Sequence, residues 1–306
     1  MRTARILVVG GLNVDVHLLT DDEPGDDGTA IVTQLRTSAG GHAGNGAAAL
    51  ARLGADTAIL SAVGDDPDGE RLVSELRRSG VDTGTVLRLA GAPTGRVVIP
   101  HFRQRRYMLM HRGALDLMPE DAGSKVELAA VDAVLMFDPV PPVARSILVR
   151  AGWAGVPVYW NPGGAMVQQE GFAKIARAAS VIFVNRAEFA HLCADHRIEA
   201  LLLGASRLRR LVVTMGRDGA VEYRPEAVLT ATALAVTEVD ATGAGDAFAA
   251  AYAFADIANL GPSPLAIACV AGSLAAAAAD ARGADTRLPD LLARVAEIQV
   301  RQRRAA

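Results

Sequence analysis

The sequence predicts an α/β fold in which a central, mostly parallel sheet is flanked by helices and a small second sheet stands apart. Three observations lead there. Short apolar runs rich in β-branched residues alternate with longer amphipathic segments through most of the chain, the pattern of βαβ units with right-handed crossovers. That alternation breaks twice, at strand-like segments with no helix between them. No internal repeat or low-complexity linker divides the 306 residues, so residues 1–306 read as a single domain.

The buried strands of the main sheet are expected at Ile6–Val9, Thr57–Val63, Ala133–Phe137, Val156–Trp160, Val181–Val184 and Leu211–Thr214, several of them followed by Gly, Asn, Asp or Pro. Helices are expected at Gly46–Leu53, Pro67–Ser79, Pro142–Ala154, Phe172–Ala179 and Glu188–Ala194. The first break covers about residues 15–38 and holds an acidic turn from Asp21 to Gly28, then the strand-like Ala30–Arg36. The second covers about residues 95–112, with Arg96–Phe102 and Arg106–His111 joined across Arg103-Gln104-Arg105. Both flank the glycines around Gly40, so together they are expected to form a lid that keeps water from a site there. Val97, Ile99, Met108 and Met110 are hard to bury on so small a sheet. Pairing two lids across a two-fold axis covers them, and a homodimer is expected.

Composition narrows the partners. A net charge of −3 offers no electrostatic reason to expect nucleic acid or an anionic membrane. Aromatics make up only 4% of the chain, so Ala, Val, Leu and Ile must build the core. Cys193 and Cys269 have no metal-like spacing and read as apolar residues of a reducing compartment. The apolar N-terminal run stops at Gly10-Gly11, too early for a signal peptide. The Ala-rich stretch Ala266–Ala281 is too short and too weakly apolar to span a bilayer. A cytoplasmic protein is expected.

The strongest local signal is Asp240-Ala241-Thr242-Gly243-Ala244-Gly245-Asp246, followed by an Ala-rich helical run from Ala247 to Ala258. A glycine turn opening into a helix leaves the N–H groups of Ala244, Gly245 and Asp246 free at the positive end of the dipole, a cradle for an anion. Asp246 is either a helix N-cap or a base that takes a proton from a hydroxyl beside that anion. Asn185 ends a strand and Glu188 follows one turn later. They serve as turn residue and dipole partner, or they orient phosphate and water-bound Mg²⁺ at the carboxyl edge of the sheet. Thr214, Gly216 and Gly219 belong to a strand, turn and return strand whose backbone can border a nucleotide, although turn chemistry explains them equally.

A second group gathers earlier in the chain. Asn13 and Asp15 are two apart after the first strand, so in extended chain an amide and a carboxylate share one face and can grip neighbouring hydroxyls. The glycine turn of Gly40 and Gly41 leads to Asn45, which can meet the same polyol. Asp138, after the strand Ala133–Phe137, and Arg112, after the lid strands, either touch this acceptor or serve only to end a strand and solvate the lid. His42 reads as a turn or surface residue rather than a catalyst.

These residues resemble the ribokinase-like (PfkB) carbohydrate kinase family along nearly the whole chain. The likeness is carried by Gly40-Gly41…Asn45 continuing to Gly64-Asp65-Asp66…Gly69, by Asn185…Glu188, by Arg112-Gly113-Ala114, and above all by Asp240–Asp246. It implies a ribokinase-like sheet with a β-sheet lid, and ATP with Mg²⁺ as phosphate donor. It implies Asp246 as the base, with Gly243, Ala244 and Gly245 as the anion hole. Asn13, Asp15, Gly41 and Asn45 then hold the acceptor, and Asn185 and Glu188 attend phosphate and Mg²⁺. Asp240 and the Thr242 carbonyl resemble part of a K⁺ site whose other ligands fall near Ala279–Gly283. His42-Ala43-Gly44 and Asp138 depart from the Lys-Gly-Ala and Glu usual in ribokinases proper, so a sugar other than ribose, or a nucleoside, is the expected acceptor class. The competing classes are a sugar- or nucleotide-binding protein without chemistry, which has no need of Asp246, and a dinucleotide oxidoreductase. The latter requires a G-x-G-x-x-G that Gly10-Gly11-Leu12-Asn13 does not supply.

Overall fold

The computed structural model describes residues 3–102, 105–195, 202, 207–261, 263–279, 282 and 285–305; Arg103 and Gln104 of the expected lid turn lie outside them. Its larger sheet has ten strands among the described residues. In spatial order they are Val300–Arg304, Ala227–Ala231, Ala220–Tyr223, Arg210–Thr214, Val181–Asn185, Val158–Asn161, Ala133–Phe137, Arg5–Gly10, Asp56–Gly64 and Val86–Leu89. From Arg210–Thr214 to Val86–Leu89 every pairing is parallel, and the three pairings on the other edge are antiparallel. All six strands read from the sequence are present, with ends shifted by a residue or two.

Alternation along the central strand sorts the core into two layers. Ile6 and Val8 pack on one face with the helices His42–Leu53, Pro67–Arg78, Ala244–Ile257 and Pro264–Ala276; Leu7 and Val9 pack on the other with Pro141–Ala154. Ala244–Ile257 and Pro264–Ala276 are mostly alanine on their contact faces, so two helices fit where bulkier side chains would hold them apart. Here the Ala-rich run that is too weak for a bilayer finds its role as core. No helix among the described residues is long and apolar enough to cross a membrane.

The first strand is the hub. Asp56–Gly64 pairs with one side of Arg5–Gly10, and Ala133–Phe137 pairs with the other. The chain therefore reverses its direction of travel across the sheet beside Gly10, which forms such a switch point with Phe137 as its register partner. A crevice opens there at the carboxyl ends of the strands.

The smaller sheet has five strands rather than the expected three. Asn13–Thr20 is central, antiparallel to Val32–Gly40 and parallel to Gly95–Phe102, whose far side carries Arg105–Arg106 and Leu109–His111. The strand read as Arg106–His111 is thus two short pieces. Only Gly11 and Leu12 separate the main-sheet strand from Asn13–Thr20, so the small sheet grows directly out of the switch point. Val97 and Ile99, expected to lack cover, are 3% and 1% exposed because they face the protein. Met108 and Met110 are exposed as expected, and Ile31, Val32, Leu35, Tyr107 and Leu109 are exposed beside them.

Candidate active site

Asp246 is the third residue of the helix Ala244–Ile257, and Gly243, with φ 78°, is its N-cap, with no side-chain cap. The capping alternative for Asp246 therefore falls. Its carboxylate is 3% exposed, yet it lines a cleft of about 550 Å³ shared with Asn13, Asp15, Gly41, Asn45 and Asp138. Arg112, Thr242 and Gly243 lie on the same wall. Residues more than two hundred positions apart in sequence thus meet in one crevice, as the two sequence groups predict.

Each acceptor-side residue has a structural reason for its position. Asn13 sits in register with both Gly40 and Gly95, where the small sheet joins the body. Its Nδ2 donates to Asp15 Oδ1 at 2.5 Å, so the pair on one strand face forms a single polar unit. A side chain at Gly40 would collide with the Asp15 carboxylate, and one at Gly41, whose φ is 90°, with the Gly11 carbonyl. Burial pushes the Asp15 carboxyl up to about 6, against the pull of Arg282 and His42. Asp138 has φ 32°, a conformation that residues other than glycine rarely adopt. One of its carboxylate oxygens is buried with no partner among the described residues, and burial holds its carboxyl above the usual range. Arg112 donates to the Asp138 carbonyl at 2.9 Å and pairs with Asp116.

On the phosphate side one sequence expectation is refined. The Ala244 amide donates to Ala241 O at 3.2 Å, while Gly245 and Asp246 have backbone amides with no acceptor among the described residues. A side chain at Gly245 would meet no atom within 4 Å. The helix N-terminus thus faces open space with two free donors, which suits an anion.

Asn185 and Glu188 form a capping box: Asn185 Oδ1 accepts from the Glu188 amide at 2.9 Å, and Glu188 Oε2 accepts from the Asn185 amide at 2.8 Å. The turn-and-dipole alternative accounts for those contacts and leaves Glu188 Oε1 for other duties. Asn185 and Thr214 are register partners on adjacent strands. Gly216 and Gly219 close a tight turn, where Gly219 has φ 91° and a side chain would strike the Ala231 carbonyl. None of these five residues lines the cleft around Asp246.

Asp240 Oδ1 accepts from the Thr242 amide at 2.9 Å, the Thr242 hydroxyl at 2.6 Å and Arg106 Nη1 at 3.2 Å. Burial raises its carboxyl, but the Thr242 hydrogen bonds and Arg106 outweigh it and hold it below the usual range. One Asp240 oxygen is thus engaged by three donors, and 280, 281 and 283 of the remaining expected K⁺ segment lie outside the described residues. The Arg106 guanidinium also donates to the Thr242 hydroxyl at 2.9 Å, tying the small sheet to the loop before Asp246.

The residue that the sequence reading missed is His42. Far from idling at a turn, its Nδ1 lies 2.8 Å from Asp246 Oδ1, while Asn45 Nδ2 donates to Oδ2 at 2.9 Å. The helix begins at His42 rather than Gly46, so His42 and Asn45 sit three apart on one face. Extending the helix back to the Gly41 turn was the signal that could have found it.

Comparison with known proteins shows the family. Residues 3–291 match the profile of the pfkB family carbohydrate kinases. The chain is 32% identical over 250 residues to an ATP-dependent ribose-1-phosphate kinase of Halopiger xanaduensis, covering 81% of this chain and 83% of that protein. Its fold superposes with a TM-score of 0.83 on Arabidopsis thaliana ribokinase complexed with ribose and ATP, at 24% identity, covering 96% and 99% of the two chains. The TM-score is 0.81 for a Burkholderia thailandensis nucleoside kinase in complex with inosine, at 20% identity, covering 95% and 98%. The chain belongs to the pfkB family of carbohydrate kinases.

Proposed function

Taking that membership as premise, we propose that the protein is an ATP-dependent kinase that phosphorylates a hydroxyl, a primary CH₂OH, of a sugar or sugar derivative. One observation carries the reading: a carboxylate at a helix N-terminus with two free amides faces the same cleft as the Asn13–Asp15 pair and Asn45. Asn13, Asp15, Gly40, Gly41 and Asn45 hold the acceptor, and the unpartnered Asp138 oxygen and Arg112 take its remaining groups. Asp246 receives the proton of the attacking hydroxyl. The hydroxyl electron pair forms the new bond to phosphorus as the bond to ADP breaks. The Gly245 and Asp246 amides, presented by the turn at Gly243 and Ala244, stabilise the charge spread over the transferring group.

The nucleotide lies along Asn185, Thr214, Gly216, Gly219 and Thr242. Glu188, through its free oxygen and intervening waters, would hold Mg²⁺, which supplies charge neutralisation between phosphates. Asp240 and Thr242 are the candidate K⁺ ligands only when Arg106 withdraws. The small sheet acts as a lid that excludes water as a competing acceptor. The protein is read as a cytoplasmic single-domain enzyme.

A nucleoside acceptor is the second reading. Val97, Met108, Met110 and Leu115 give the cleft an apolar wall that a polyol alone would not use and a nucleobase would. ADP release with ribose, fructose, ribose 1-phosphate and inosine separates the two. With the best acceptor, Asp246→Asn is expected to lower kcat by about 10²–10⁴-fold with little change in KM, and a variant that keeps most of its turnover refutes the base assignment.

Asp15 accepts acceptor hydroxyls most strongly when ionised, so acceptor KM should rise as pH falls below about 6. Asp15→Asn should raise acceptor KM roughly 10- to 150-fold and flatten that dependence, as expected for loss of a charged hydrogen bond of about 1.5–3 kcal/mol. A KM that is level across this range in the unmodified enzyme counts against the assignment.

The homodimer forms through the apolar outer side of the lid, where Leu35 and Leu109 are 62% and 60% exposed. Light scattering at micromolar protein should give twice the chain mass, and Leu109→Asp should give the monomer.

A further inference from the structure

The helix His42–Leu53 grips both oxygens of Asp246 with its first turn, through His42 on Oδ1 and Asn45 on Oδ2. The carboxylate is buried, whereas the His42 side chain is 47% exposed within the cleft. Three further acids face the imidazole: Asp138 from the end of Ala133–Phe137, Asp15 from the lid strand, and Glu188 from the helix Arg186–Asp195. Two other cations stand near. Arg282 donates to Asn45 Oδ1 and Gly40 O behind the helix end, and Arg112 borders the same cleft. Asp246 shares the cleft with Asp15 and Asp138, and its charge raises both of their carboxyls, so a positive charge against it offsets the crowding of like charges.

We propose that His42, carried as an imidazolium, is a positioning residue that keeps Asp246 ionised and aimed at the acceptor hydroxyl. This rests on the reading of Asp246 as the base. A carboxylate offers about four lone-pair sites; His42 and Asn45 occupy one on each oxygen, and the others remain for the hydroxyl. During transfer the hydroxyl proton passes to Asp246, while His42 keeps its own. Attraction to Asp246 outweighs burial and raises the His42 imidazole to about 10, so the charge persists through the neutral range.

The test has two arms. In the first, histidine labelled with ¹³C at Cε1 is followed by NMR without any acceptor. His42 should titrate near 10 in the unmodified protein and move toward about 6.5 in Asp246→Asn. An unmodified His42 titrating at about 6.5 overturns the proposal. In the second, ADP release is measured across pH with the best of the four acceptors. His42→Gln should lower kcat about 10–100-fold, move the acidic limb of its pH profile upward by about one unit, and change acceptor KM by less than roughly threefold. His42→Lys, which restores the charge, should recover both kcat and the limb. An acidic limb unmoved in His42→Gln overturns the proposal, as does a Lys variant no better than Gln. An inactive Gln variant with an active Lys variant supports it. Turnover retained by Asp246→Asn sinks the base reading itself; an inactive Asp246→Asn with an unshifted His42→Gln profile sinks only the role of His42.

Discussion

The architecture of the site turns on a single burial problem: a carboxylate held inside a packed helical layer must be given partners or be neutralised. Asp246 receives both of its partners from one helix end, 204 and 201 residues away in sequence. That contact welds the start of the chain to its last third and sets demands on both. The helix must begin directly at His42, which requires the turn at Gly41 with φ 90°. The loop before Asp246 must also turn sharply at Gly243, so that amides and carboxylate face the same side. Glycines, amide and imidazole are consequences of one carboxylate.

The second sheet extends this logic to water exclusion. Because it leaves the main sheet at Gly11 and Leu12, any swing of the sheet moves Asn13 and Asp15 together with it. Arg106 closes the far side on Asp240 and Thr242. The Arg106 side chain is 40% exposed in that ion pair, so the contact is weak, on the order of 0–1 kcal/mol. A latch of that strength suits a cover that must open each turnover. The same contacts link the small sheet to the loop before Asp246, so a movement of one would be felt by the other.

Much of this was legible in the sequence, and the failures have physical causes. Strand–helix alternation gave the large sheet because buried parallel strands are continuous apolar runs, as in Val181–Val184. The Asn13–Asp15 pairing was legible because a period of two fixes which side chains share a face. Val97 and Ile99 misled because one strand's sequence does not say which of its faces meets the body. His42 was missed because an exposed-looking histidine beside glycines carries no periodic signal; its role depends on a carboxylate two hundred residues later. Asn185 and Glu188 show the converse. Their spacing of three is what a capping box needs, so the same letters serve local structure whether or not they also attend a ligand.

The charges of the cleft pull stability in opposite directions with pH. Asp15 is raised above its unfolded value, so its ionisation opposes folding above about 6 and the opposition fades as pH falls toward 3.8. His42 is raised as well, but as a cation it favours folding: the contribution is full below its unfolded value of 6.5 and fades as pH climbs through about 10. Near neutrality the protein therefore carries both an ionised Asp15 that strains it and an imidazolium that steadies it. An apolar residue of similar size at Asp15 would relieve the strain, whereas one at His42 would remove the charge that steadies the fold beside Asp246. A cleft built only for stability would be expected to discard Asp15; a buried carboxylate raised in this way is the pattern of a functional site.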